Sequence, residues 1–168
     1  MGSIETIDLG TYQQQSRRLL VSDPCYRDAT GQVALRAEPG IWHAKLHVDP
    51  PENFVLEVFH ERFPRVQISK HSTFPNVDTG LIGFYDQRFF RDAAEVVDIE
   101  LEHTDTPSGD AWRDAFLLGT TPMLLPHGVI CATSRGDGEW PLLIGRKFHR
   151  VIRALVVFDN EVLSWVKA

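Results

Sequence analysis

Cysteine is scarce in this chain: only Cys25 and Cys131 occur among 168 residues. Two thiols so far apart supply neither a disulfide framework nor the paired spacing of a zinc site, so the fold has to be held by its own core. Long apolar runs are missing as well. None approaches the roughly 18 residues that span a bilayer, and the first residues lack the apolar stretch of a secretory leader. A cytoplasmic protein with no membrane partner is therefore expected. Positive charge is in deficit: Lys and Arg number 17 against 23 Asp and Glu, a formal net charge of −6. That balance repels phosphate backbones, so nucleic acid is not an expected partner. A local basic run of Arg146, Lys147, His149, Arg150 and Arg153 can still grip one anionic group, although such runs more often mean a solvated loop and strand end. Familiar catalytic signatures are also absent. There is no P-loop, no glycine-rich dinucleotide turn after a strand, no His-Glu-x-x-His and no Gly-x-Ser-x-Gly.

What is present is a globular composition, 43% hydrophobic and 24% charged, at the length of one ordinary domain. No repeat, low-complexity tract or long linker divides it, so residues 1–168 read as one domain. The clearest pattern has period 2: Trp42, Ala44, Leu46 and Val48 alternate with His43, Lys45 and His47. This puts the first row in a core and the histidines in water. Phe54, Leu56 and Val58 repeat the pattern, as do Val66 and Ile68. Pro50-Pro51 and Pro64 separate these three strands, because proline cannot sit inside a central ladder.

The C-terminal third reads as a four-strand meander. Val129–Ser134 and Trp140–Gly145 flank the turn Arg135-Gly136-Asp137-Gly138, and Val151–Phe158 and Val162–Val166 flank Asp159-Asn160-Glu161. Val151–Phe158 is apolar almost throughout and is expected to be covered on both faces. Two stretches break the β pattern. Phe89, Phe90, Ala93, Ala94, Val97 and Leu101 fall at helical spacing after Asp86, a good N-cap, and Trp112, Ala115 and Phe116 form a shorter stripe. The expected fold is mainly β in the α+β sense: a mostly antiparallel sheet, as a sandwich or flattened barrel, with one or two short packed helices.

Three turn-like segments pair an acid with residues that expose backbone. They are Ser22-Asp23-Pro24-Cys25-Tyr26, the stretch from Val77 through Asp78, Thr79 and Gly80 to Asp86, and Ser134-Arg135-Gly136-Asp137-Gly138-Glu139-Trp140-Pro141. Asp and Gly dominate tight turns for reasons of local geometry, so each segment taken singly reads first as structure. Cys25 is the one candidate nucleophile, with His127 or His149 as a distant base, yet a cysteine beside proline more often fills space.

In order and content the three segments resemble an uncharacterised bacterial and phage family, domain of unknown function 4241. The family pattern is Ser-Asp-Pro-Cys-Tyr near the start, Val-Asp-Ser-Gly-x-x-Gly-Phe-Phe-Asp mid-chain, and Gly-Asp-Gly-x-Tyr-Pro before a terminal apolar strand. This chain matches at Ser22 to Tyr26, Val77 to Asp86 and Gly136 to Pro141, and departs at Thr79, Tyr85 and Trp140. The family carries no established activity. The resemblance implies a linked signature in which Asp23, Asp78, Asp86 and Asp137 converge at one end of the sheet, with Trp140 or Tyr26 alongside. Gathered carboxylates need an offset. Arg135 can supply it in a structural network, which is the favoured reading, or a hard cation such as Mg²⁺ or Ca²⁺ can do so.

Two functions follow. The first is a non-catalytic binding or interaction module for a protein or small-molecule partner, with no cofactor expected. The second is a divalent-metal-assisted hydrolase built on the Asp cluster. A structural homo-oligomer subunit is the third option.

Overall fold

The computed structural model describes residues 3–24, 31–50, 52–90, 122–159, 161 and 163–166. The alternating stretch around Trp42 forms strand β4 (Gly40–Asp49). Trp42, Ala44 and Leu46 lie on its inner face, while Ile41 is exposed. β4 pairs antiparallel with β1 (Glu5–Gln14) and β5 (Glu52–His60), so the chain reverses after Asp49 where the proline break is expected. Along the chain follow β6 (Ile68–Lys70), β12 (Leu142–Lys147) and β13 (Arg150–Val157), which complete a six-stranded sheet in the order β1-β4-β5-β13-β12-β6.

The second sheet holds five strands. They are β2 (Arg18–Ser22), β3 (Val33–Arg36), β8 (Leu81–Asp86), β9 (Met123–Leu125) and β10 (Gly128–Ala132), arranged β3-β2-β8-β10-β9. A third ladder is minimal: β7 (Asn76–Val77) pairs with β11 (Gly138–Glu139). Among the described residues every strand ladder is antiparallel, and neither large sheet closes on itself.

One apolar cluster joins the sheets. Trp42, Leu46, Leu56, Ile144 and Val156 of the six-stranded sheet meet Leu19, Val21, Ile82, Phe84 and Val129 of the five-stranded one. Two smaller clusters cover the opposite faces. Phe54, Val55, Leu155 and Val157 are capped by Ile4, Leu163 and Val166, whereas Leu20, Tyr85 and Ile130 are capped by Phe90, Met123 and Leu125. β13 is thus apolar on both sides because both sides are buried, as its sequence requires. The sheets also touch along their margins. Ala37 bridges to Val151, and Gln13 N donates to Pro126 O at 2.9 Å.

Three sequence expectations give way. The segments on either side of Arg135–Gly138 do not pair with each other: β10 joins β8 and β9, while β12 joins β13 and β6. Ser134, Gly136 and Gly138 all take positive φ, at 60°, 76° and 144°, and the chain between them crosses from one sheet to the other. The second departure is at the C-terminus, where Leu163–Val166 is the short helix α1 and not a strand. Its Leu163 and Val166 stand three residues apart, one helical turn, and both cap the six-stranded sheet. The third is His47, which is buried and not solvent-facing.

Asp86 does cap a helical turn, the 3₁₀ segment Gln87–Phe89, and accepts from Arg88 N. The rest of that stripe (Ala93, Ala94, Val97, Leu101) and the second stripe at Trp112, Ala115 and Phe116 fall outside the described residues. Among the described residues, no helix is long and apolar enough to cross a membrane.

Candidate functional site

The three acid-bearing segments do meet, through backbone. Asp23 follows directly on β2 and is fully buried. Its carboxylate accepts from Asp78 N at 3.0 Å, from Thr79 N at 2.8 Å and from the Thr79 hydroxyl at 2.8 Å. The β7–β11 ladder then ties Asn76–Val77 to Gly138–Glu139, and Trp140 N donates to Pro75 O at 3.2 Å.

The side chains tell a different story from the backbone. Asp78 and Asp137 are exposed, while Asp23 is engaged by neighbouring turn amides. Trp140 is half-buried against the main core, edge-on to Phe158 at 6.2 Å, and its indole N–H has no hydrogen-bond partner among the described residues. Arg135 does not offset these acids. It pairs with Asp159 at 2.7 Å and Glu52 at 3.0 Å. Tyr26 and Cys25 lie outside the described residues.

Asp86 stands apart. In the β2–β8 ladder it faces Leu19, so Asp23, just past the end of β2, lies four residues further along the chain. At about 3.3 Å per residue that is about 13 Å, far beyond the reach of one shared cation. Its carboxylate accepts from Gln15 N at 2.6 Å, Ser16 N at 2.8 Å and the Ser16 hydroxyl, as well as capping the 3₁₀ turn. Burial, and then the Asp86 charge, push the Tyr12 hydroxyl well above its ordinary pKa, which keeps the phenol neutral beside it. Among the described residues no group of three or more His, Cys, Asp or Glu is placed to hold a metal ion. Cys131 is buried in the core, which raises its thiol pKa and suppresses the reactive thiolate.

The sequence reading missed a polar row across the outer face of the six-stranded sheet. Thr6 Oγ1 lies 3.0 Å from His47 Nδ1, and His47 Nε2 lies 2.7 Å from Glu57 Oε2. Arg153 Nε donates to Glu57 Oε1 at 2.7 Å. The row crosses β1, β4, β5 and β13 and fixes their alignment. The available signal was Val55 and Phe59 on either side of Glu57: an outward face with apolar members is a covered face.

The basic run has its own architecture. Lys147 pairs with Arg150, so β12 and β13 are joined by a two-residue turn, Phe148-His149. Both residues take positive φ, 51° and 64°. This is the type I′ pattern that Asn-Gly normally fills, and left-handed backbone costs an ordinary L-residue about 1–2 kcal/mol. Phe148 is nonetheless 83% exposed, so burial of its ring does not offset that cost.

Beneath the turn opens a cavity of about 510 Å³, walled by Phe63, Phe148 and Ile152 and by Arg36, Lys147, His149 and Arg150. Its floor is fixed. Glu38 N donates to Val151 O at 3.1 Å, Glu38 O accepts from Trp42 Nε1 at 2.9 Å, and the Glu38 carboxylate pairs with Arg150. Lys147 Nζ sits 4.3 Å from the Phe63 ring centroid and 5.5 Å from that of Phe148, a cation held between two aromatic faces. Arg36 points outward from β3 with no carboxylate partner among the described residues.

Comparisons with protein-family models, with curated proteins and with solved structures found no match for this chain.

Proposed function

We propose that this chain is a non-catalytic binding module, and that its recognition surface is the cationic, aromatic pocket under the β12–β13 turn. The observation that carries the reading is the turn itself. Two bulky residues hold left-handed backbone where Asn and Gly would fit without strain, and one of them presents a nearly bare phenyl ring at the cavity mouth. Strain kept against local preference is a pointer to use. Charge supports it: among the described residues the one carboxylate in the wall, Glu38, is committed to Arg150, and Arg36 and Lys147 have no carboxylate partner there, on a chain of net charge −6. The partner is therefore an anion.

The hydrolase reading finds less support, because the buried carboxylates of Asp23 and Asp86 are taken up by N–H and O–H donors that a cation would have to displace. The likeness to domain of unknown function 4241 remains a proposed grouping and adds no activity to either reading.

Thermal unfolding with added inorganic pyrophosphate at physiological ionic strength tests the proposal. The expected result is a raised Tm for the parent chain, lost in Arg36→Ala/Lys147→Ala. An equal response from both chains would refute the pocket. A Tm raised instead by Mg²⁺, Ca²⁺ or Mn²⁺, and no longer raised in Asp78→Asn, would restore the metal reading.

A further inference from the structure

We infer that the ligand of this pocket is a planar ring carrying a phosphate, of the size of a mononucleotide; this inference rests on the anion-binding reading above. Three features narrow the class. The first is volume. At about 30 Å³ per water, a bare phosphate would fill only a fraction of a cavity of about 510 Å³, whereas that volume lies within the usual range for small-molecule sites.

The second is the separation of chemistries within the walls. Phe148 offers an open aromatic face at the rim, 83% exposed, and Phe63 a second ring deeper in, with Lys147 fixed between them. Planar bases stack on such rings with little regard to sequence, because every base has a π-face. The third is donor geometry. Arg36 carries a planar fork suited to two phosphate oxygens, and Lys147 and His149 add donors beside it. A ligand that is only anionic leaves the exposed Phe148 ring unused, and a neutral aromatic one leaves Arg36 without an anion.

A single nucleotide fits better than a polynucleotide. The chain as a whole is acidic, and the cations that line this pocket sit around one turn and the end of β3 beside it, so the pocket answers one phosphate group while the net charge disfavours a long phosphate backbone.

Isothermal titration of the full chain decides the matter, with AMP and GMP, adenosine, ribose 5-phosphate, inorganic phosphate and a short single-stranded oligonucleotide as titrants. At least one mononucleotide should bind at least tenfold more tightly than ribose 5-phosphate, adenosine or phosphate. Phe148→Asn suits the left-handed turn and removes the ring. It should weaken the nucleotide at least tenfold, down to the affinity of ribose 5-phosphate, whereas Arg36→Ala/Lys147→Ala should lose nucleotide and ribose 5-phosphate alike. Ribose 5-phosphate binding as tightly as the nucleotide would overturn the ring while the anion pocket stands. An oligonucleotide binding more tightly than any mononucleotide would overturn the single-nucleotide class. No binding of any anion would overturn the pocket together with its ligand.

Discussion

Replacing Asp23 separates a fold-holding carboxylate from a ligand-binding one. In the parent chain its Oδ2 takes two backbone N–H groups, from Asp78 and Thr79, and the Thr79 hydroxyl bridges both oxygens. Asn at this position can turn its one oxygen to the two N–H groups and its amide to the hydroxyl, which rotates to accept. Both backbone bonds then survive without charge assistance, a loss of about 1 kcal/mol each, so Asp23→Asn should destabilise by about 2 kcal/mol. Ala leaves two part-buried N–H groups and the Thr79 hydroxyl without that acceptor, and at about 1–3 kcal/mol apiece Asp23→Ala should lose about 3–5 kcal/mol. The order Ala worse than Asn worse than Asp is the signature. Urea unfolding reads it as a falling midpoint at constant slope. Along β2, Arg18 faces Arg36 of the pocket while Asp23 lies beyond the opposite end, so the response to pyrophosphate should not change in either variant. If both variants stay within about 0.5 kcal/mol of the parent, the network does not hold the fold and this reasoning fails.

Four further outcomes follow from the structure. Trp42 is fully buried and donates to Glu38 O, so Trp42→Ala should lose about 3–5 kcal/mol in denaturant unfolding; a loss under about 1 kcal/mol would mean its site collapses freely. Phe148→Asn combined with His149→Gly relieves two left-handed residues and should stabilise by about 1–3 kcal/mol, seen as a higher Tm; a lower Tm would show that the turn is not strained. A Cβ on Gly83 would stand 2.4 Å from Val129 O, a backbone atom across the β8–β10 ladder, so Gly83→Ala should cost at least about 1–3 kcal/mol, and a neutral result would mean that ladder gives way easily. Burial raises the pKa of Glu57, but the His47 hydrogen bond and the Arg153 charge outweigh it and the net shift is downward. Its contribution is therefore complete above the unfolded value of about 4.3 and is lost as pH falls through the lowered folded value. Glu57→Gln should flatten the acid limb of the stability–pH curve, and an unchanged limb would sink that assignment.

The sequence was most legible where one local rule acted alone. Trp42, Ala44 and Leu46 alternate because only one face of β4 meets the main core, and period 2 reports that directly. Asp86 was readable as a cap because capping needs only a carboxylate and the next turn. Pairing partners were harder. Val129–Ala132 and Leu142–Gly145 look like a hairpin because a glycine-rich stretch lies between them, yet both strands need cover on two faces, and membership in different sheets satisfies both. Nothing local distinguishes a turn that reverses the chain within a sheet from one that hands it to the opposite sheet. His47 was misplaced for a related reason: alternation says which residues share a face, but whether that face is wet depends on Glu57 and Arg153 from strands far along the chain.

The pocket was the least legible part, and the reason is physical. Turns announce themselves in sequence through Asn, Gly, Asp and Pro, because those residues relieve the local backbone. Lys147-Phe148-His149-Arg150 contains none of them, so a two-residue hairpin there contradicts the composition from which hairpins are recognised. The basic run itself was visible, but without a turn to organise it the charges read as a solvated strand end. A fold whose local preferences agree elsewhere departs from them where something other than stability is being served. The acid-rich segments obey turn chemistry, and their buried carboxylates answer backbone donors. Phe148 and His149 disobey it, and the exposed Phe148 ring stands at a cavity that Arg36 and Lys147 also line, neither with a carboxylate partner among the described residues. On the proposed reading, that contrast gives the acids to the fold and the basic turn to the partner.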